Sequence, residues 1–288
     1  MLNIRKIVLP IDVPDASLSV IHQAVTLARH FHSEIVMLHV TKPVKQARGG
    51  FPEQRRVTGE NLLKEIVLEA EKRMDHSVGP ALESLGVRGV VGEGEIAGSI
   101  LQVAEKEEAD LIMMASQGET FYQFLLSSVT MKVGKGSECP IWTGASAKDL
   151  ASREFAIRNV LCAVDLGPRS SKVVSWGKQL AEAFGARLTL AHVTAGVEFW
   201  GPGGSYVNQE WREALVNDAR RRLAEQQQRM GTTAEVFIGS GDVPKVLAEA
   251  AKHAKAEVLV TGCQPYGGHL RTHGFTIISA MPIPVLNV

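Results

Sequence analysis

The stretch RKIVLPIDVPDASLSVIHQAVTLARHFHSEIVMLHV, residues 5–40, returns in altered form as RNVLCAVDLGPRSSKVVSWGKQLAEAFGARLTLAHV, residues 158–193. The 36 residues align without a gap at an offset of 153, with nine identities that include Asp12/Asp165 and His39/His192. Farther along, GEGEIAGSILQVAEKEEADLIMMAS (92–116) lies over GSGDVPKVLAEAAKHAKAEVLVTGC (239–263) at an offset of 147, and CPIWTG (139–144) over IPVLNV (283–288) at 144. The second copy is therefore six residues shorter in its middle and three shorter again before its last segment.

Each copy alternates short apolar runs with amphipathic stretches, the pattern of a parallel sheet covered by helices on both faces. In the first copy the runs are KIVLPI, EIVMLHV, VRGVV, DLIMMA and PIWT, and their continuous apolar character suits strands buried on both sides. Five strands per copy follow. Between them Leu18, Ile21, Val25 and Ala28 recur at helical spacing, as do Leu62, Ile66, Val67 and Ala70, and then Ile100, Val103 and Ala104. Such stripes predict core. The polar run ASAKDLASREFAI (145–157) reads as a linker, which places one domain at 1–147 and a second at 154–288. The Gly- and Pro-bearing segments TKPVKQARGGFPEQ (41–54) and TAGVEFWGPGGSYVNQE (194–210) follow the second strand of each copy and are expected to be mobile loops.

The 31 basic and 31 acidic side chains of the 288 residues cancel, so no basic field is available for nucleic acid or an anionic membrane. No stretch reaches about 18 consecutive apolar residues, and a cytoplasmic protein is expected. Cys139, Cys162 and Cys263 are odd in number and widely spaced, which suits packed thiols in a reducing compartment.

Ligands of open α/β sheets bind beyond the carboxyl ends of the strands. Asp12 stands at such an end, where its carboxylate either meets a ribose or amine or caps the helix that follows. DLIMMA runs into SQG, and the next helix is expected to begin near Ser127 and Ser128. Unpaired N–H groups at a helix start stabilise a phosphate, and Gly118 permits close approach; equally, either serine could serve as a helix cap alone. The cluster VVGEGEIAGS (90–99) has the spacing G-x-G-x-x-x-G after a third strand, a weak dinucleotide signal. His30 with His32, and His269 with His273, lack the partners of a metal site. No nucleophile, base and acid set is legible, so an enzyme is not expected.

These residues carry a family likeness. KIVLPIDVPDAS, MLHV and above all DLIMMASQGETFYQFLLSSVTMKVGKGSECPIW resemble a tandem universal stress protein, with one such domain per repeat. The resemblance implies a five-stranded, adenine-nucleotide α-hydrolase-like (Rossmann-like) parallel sheet and two domains paired as a pseudo-dimer through their last strands. Homodimers and partner proteins are compatible with it; nucleic acid and membrane are not expected partners.

Nucleotide-binding members carry G-x-x-G, nine residues, then G-[ST], together with an aspartate after the first strand. Carried over by position, Asp12 resembles the adenosine contact, with Pro10, Ile11, Val40 and Met114 around the base of ATP or AMP. Ala115 takes the place of the first glycine, Ser116 follows it, and Gly118 matches the second glycine. Ser127 takes the place of the last glycine, with Ser128 and Val129 closing the motif after a loop one residue short. In the second copy the counterparts are Ala163, Asp165, Val193, Gly262, Arg271 and Thr272, but Pro265 replaces the second glycine and removes a backbone donor. The resemblance implies a stress-response protein that binds or senses adenine nucleotide in its first domain. A nucleotide-independent scaffold is the alternative, and a very slow ATPase or an electron-transfer flavoprotein-like domain ranks third.

Overall fold

A computed structural model describes residues 2–12, 18–41, 59–72, 77–115, 123–144, 155–196, 198–201, 204–207, 209–262 and 273–288. The chain divides into two compact units, Asn3–Phe155 and Ala156–Val288. In the first unit the strands are β1 (Lys6–Pro10), β2 (Glu34–Thr41), β3 (Val87–Glu93), β4 (Leu111–Ala115) and β5 (Ile141–Gly144). They pair in parallel throughout, in the order β3-β2-β1-β4-β5. The order reverses between β1 and β4. All five runs expected from the sequence are therefore strands.

Alternation along those strands explains the two covered faces. Val8, Val36, Leu38, Ile112, Met114 and Ile141 share one core with α4 (Ile96–Lys106) and α5 (Gln123–Gly136). Ile7, Leu9, Ile35, Met37, Leu111 and Met113 are also buried, and α1 (Leu18–Phe31) buries Leu18, Ile21, Val25 and Ala28. Those four residues are the stripe read from the sequence. In α2 (Gly59–Lys72), Leu62, Ile66 and Ala70 are buried likewise. A short helix, α3 (Val78–Glu83), adds Val78, Ala81 and Leu82 to the core; six residues are too few for periodicity to reveal.

The second unit repeats the order. β6 (Asn159–Ala163), β7 (Arg187–Thr194), β10 (Glu235–Ser240), β11 (Val258–Thr261) and β12 (Val285–Asn287) pair in parallel as β10-β7-β6-β11-β12. Its helices are α6 (Ser170–Phe184), α7 (Gln209–Met230), α8 (Val243–Ala254) and α9 (His273–Ala280), of which α8 and α9 close a core with Leu161, Ala191, Leu259 and Val285.

Two expectations need correction. The segment 194–210 is not only loop: β8 (Glu198–Gly201) and β9 (Gly204–Val207) form an antiparallel hairpin, and Gln209 already belongs to α7. Phe199, Trp200, Tyr206 and Val207 favour extended backbone. Its counterpart loop lies almost wholly outside the described residues. The 145–157 stretch is also not all linker, because Phe155 and Ile157 are buried. Phe155 meets Trp142 edge-on with ring centroids 6.0 Å apart, and its carbonyl accepts from Thr26 Oγ1 at 3.2 Å.

The repeat also preserves how the first strand starts. Asp110 Oδ2 accepts from the N–H groups of Arg5 and Lys6 (2.7 and 3.0 Å), and Glu257 Oε2 from those of Arg158 and Asn159 (3.1 and 2.7 Å). Nearby, Arg88 donates to Glu107 at 2.6 Å and holds that carboxyl below the usual carboxylate range. These groups lie at the amino end of the strands, opposite the end at which open α/β sheets take ligands.

Candidate functional site

At the carboxyl end of β1, the N–H of Ile11 donates to Leu38 C=O at 2.8 Å. The carbonyl of Ile11 meets Nδ1 of His39 at 3.1 Å. A carbonyl oxygen only accepts, so Nδ1 of His39 carries a proton. The second unit repeats the arrangement: Val164 N–H donates to Ala191 C=O at 2.8 Å, and Val164 C=O accepts from His192 Nδ1 at 2.7 Å. The next residue in each unit is the exposed aspartate, Asp12 or Asp165. The sequence comparison marked both histidines as identities, but not as groups that shape the strand exit.

Asp165 Oδ1 accepts from Gly167 N–H at 2.9 Å and from Ser170 Oγ at 2.7 Å, a local turn that leads into α6. In the first unit, Ser17 stands in place of Ser170, but Pro14 stands in place of Gly167. Proline has no N–H, so the bond from two residues on cannot form at Asp12. At Asp165 the turn is what forms: the first residue of α6 is preceded by Arg169, which makes no side-chain cap, and Asp165 holds the turn before it.

The strand-order switch between β1 and β4 is the usual crevice of an open α/β sheet. Pro10, Ile11 and Asp12 reach it from β1, Val40 stands near the end of the adjacent β2, and Met114 and Ala115 end β4. Met114 and Val129 are buried in one apolar cluster, with Val40 packed against it. Ser116 and Gly118 lie outside the described residues. In the second unit Ala163 and Val193 pack against the equivalent core, and Gly262 follows β11 directly. Arg271 and Thr272 lie outside the described residues.

The helix expected to begin near Ser127 and Ser128 begins earlier. α5 starts at Gln123, so these serines are its fifth and sixth residues. Gln, Leu and Leu at 123, 125 and 126 favour helix, and no Gly or Pro interrupts 119–133. Only the first four N–H groups of a helix lack intrahelical partners. The N–H groups without intrahelical partners are therefore those of residues 123–126, ahead of the serines.

The second glycine cluster is a turn. Gly94 has φ +125° and Gly241 φ +118°, backbone that glycine adopts readily. Their N–H groups donate to Thr41 C=O and Thr194 C=O, both at 3.1 Å. Each is followed by a helix cap: Glu95 accepts from Gly98 N–H at 2.6 Å, and Asp242 from Lys245 N–H at 3.2 Å. Glu95 also pairs with Lys132 of α5 at 2.9 Å. Lys132 and then the Gly98 N–H hold the Glu95 carboxyl below its ordinary range. The second glycine of the recurring G-x-G is thus explained by the turn it makes. Among the described residues no three His, Cys, Asp or Glu side chains form a metal-binding group, and no helix is long and apolar enough to cross a membrane.

Comparison with known proteins matches both repeats. The family model "Universal stress protein family" covers residues 3–143 and 156–287. Universal stress protein MJ0531 of Methanocaldococcus jannaschii is 31% identical over 140 residues, 48% of this chain and 79% of the relative. Universal stress protein A of Escherichia coli K12 is 26% identical over 137 residues, 46% of this chain and 95% of the relative. Among solved structures, PA1789 of Pseudomonas aeruginosa PAO1, a protein of unknown function, aligns over 99% of this chain and 92% of its own. The TM-score is 0.67 at 16% identity. A universal stress protein from Archaeoglobus fulgidus aligns over 98% and 95%, with TM-score 0.62 at 19% identity. With the same strand order in each half and a family match to each half, the chain belongs to the universal stress protein family, as two such domains in tandem.

Proposed function

We propose that the chain binds an adenine nucleotide, ATP or AMP, at the carboxyl edge of its first domain, as a stress-response binding or sensing protein and not as an enzyme. The observation that carries this reading is the grouping of Asp12, Val40 and Met114 around the β1/β4 switch, the positions that resemble the family's nucleotide contacts. In this reading Asp12 takes the ribose and the apolar wall of Val40 and Met114 takes the base. The turn into α5 takes a phosphate through backbone N–H groups. Any phosphate release is slow and incidental, because no base or metal is assigned to the site.

Ala115 closes β4 and Ser127 lies inside α5, and neither has left-handed backbone, so replacing the two motif glycines adds no left-handed strain. Calorimetric titration with ATP and with AMP is expected to show binding by the native chain and at least tenfold weaker binding by Asp12→Ala. Equal binding by the two proteins would move the site elsewhere.

The second domain, whose Asp165 is committed to its own turn, serves in this proposal as a structural partner of the first. A chain cleaved near Lys148 is then expected to elute as one associated species. Two independent halves on size exclusion would contradict that role.

A further inference from the structure

We propose that His39 is a positioning residue of the first-domain nucleotide site, acting through the peptide between Ile11 and Asp12; the inference rests on the reading above and refines it. Backbone pairing of β1 with β2 ends at Pro10 and Leu38, followed by the single Ile11 N–H bond to Leu38 C=O. Beyond that point the chain must leave the sheet, and the carbonyl of Ile11 needs a donor. His39 supplies it from a side chain that is 8% exposed, onto a residue that is 6% exposed. Both ends of Ile11 are therefore tied to consecutive residues of β2, and the plane of the peptide that carries Asp12 is fixed.

An apolar side chain at 39 leaves a buried carbonyl without a donor, and the peptide is then free to rotate toward another partner. The Asp12 carboxylate moves with it. In the second unit the same ring bond exists, at 2.7 Å between His192 and Val164, but Asp165 has its own anchors in Gly167 N–H and Ser170 Oγ. The two histidines make the same bond, but the nucleotide is placed in the first domain, so only His39 stands beside a proposed ligand contact.

Asparagine provides the conservative variant, because its Nδ2 sits one bond from Cγ, as Nδ1 of histidine does. Four full-length proteins are compared by calorimetry with ATP and by thermal unfolding: native, His39→Leu, His39→Asn and His192→Leu. His39→Leu and His192→Leu are both expected to melt lower, since each removes a donor from a carbonyl. Only His39→Leu is expected to bind ATP about tenfold more weakly, and His39→Asn should stay within about threefold of native. His39→Leu that binds like the native chain would overturn the inference and leave the nucleotide reading intact. Equal losses for His39→Leu and His192→Leu would reduce the effect to general destabilisation and overturn it too. A native chain that binds no ATP would overturn both.

Discussion

Gly177→Ala is expected to destabilise the second domain, although alanine is the better helix former. A methyl group built on Gly177 of α6 would lie far inside van der Waals contact distance of Cys162 Sγ on β6. Cys162 is fully buried, and burial pushes its thiol pKa up to about 12, so it is a packing group and not a reactive one. Glycine to alanine inside a helix gains about 1 kcal/mol, whereas overpacking a core of this kind costs about 3 kcal/mol. The net expectation is a loss of about 2 kcal/mol in urea unfolding. The double variant Gly177→Ala, Cys162→Ala removes the sulfur that the methyl meets and should recover most of the loss. The first domain carries Ala24 and Leu9 at the two equivalent positions, both fully buried, so the same helix-on-strand contact has a second solution within this chain.

Trp142 carries the larger expectation. It is 1% exposed on β5, its Nε1 donates to Gln23 Oε1 at 2.7 Å, and its ring rests edge-on to Phe155. The amide nitrogen of Gln23 is buried without a partner, so the tryptophan bond is what satisfies that side chain in the core. Trp142→Ala should cost about 3–5 kcal/mol through lost burial and an unfilled cavity. Trp142→Phe should still cost about 2 kcal/mol, because Gln23 Oε1 then loses its donor as well. Adding Gln23→Leu to Trp142→Phe should restore part of that loss. If Trp142→Phe alone proves neutral by urea unfolding, the hydrogen bond contributes nothing and the core at β5 is held by shape only.

Continuous apolar runs and helical stripes made the sheet, the repeat and the four residues of α1 legible, because burial on both faces leaves a local signature. Elements whose cause is not periodic burial were harder to read. The hairpin at 198–207 hides in a glycine-rich stretch, and α3 is too short to show a period. The serine pair at 127–128 looked like a helix start, because serine is a common cap. The favourable residues just before it carry α5 back to Gln123 instead. At the candidate site, strand ends were foreseeable, since topology puts them at the switch. The bond from His39 to Ile11 was not, because it joins residues 28 apart and depends on parallel pairing of β1 and β2. The repeat showed that the histidine recurs, and geometry showed what it holds.

Nucleotide binding at Asp12 and not at Asp165 is the central proposal, and the stoichiometry of nucleotide binding tests it most directly. Titration of the intact chain with ATP is predicted to saturate at one nucleotide per chain, to fail in Asp12→Ala and to persist in Asp165→Ala. No heat and no thermal shift at millimolar nucleotide, or one nucleotide that survives Asp12→Ala and is lost in Asp165→Ala, would contradict it.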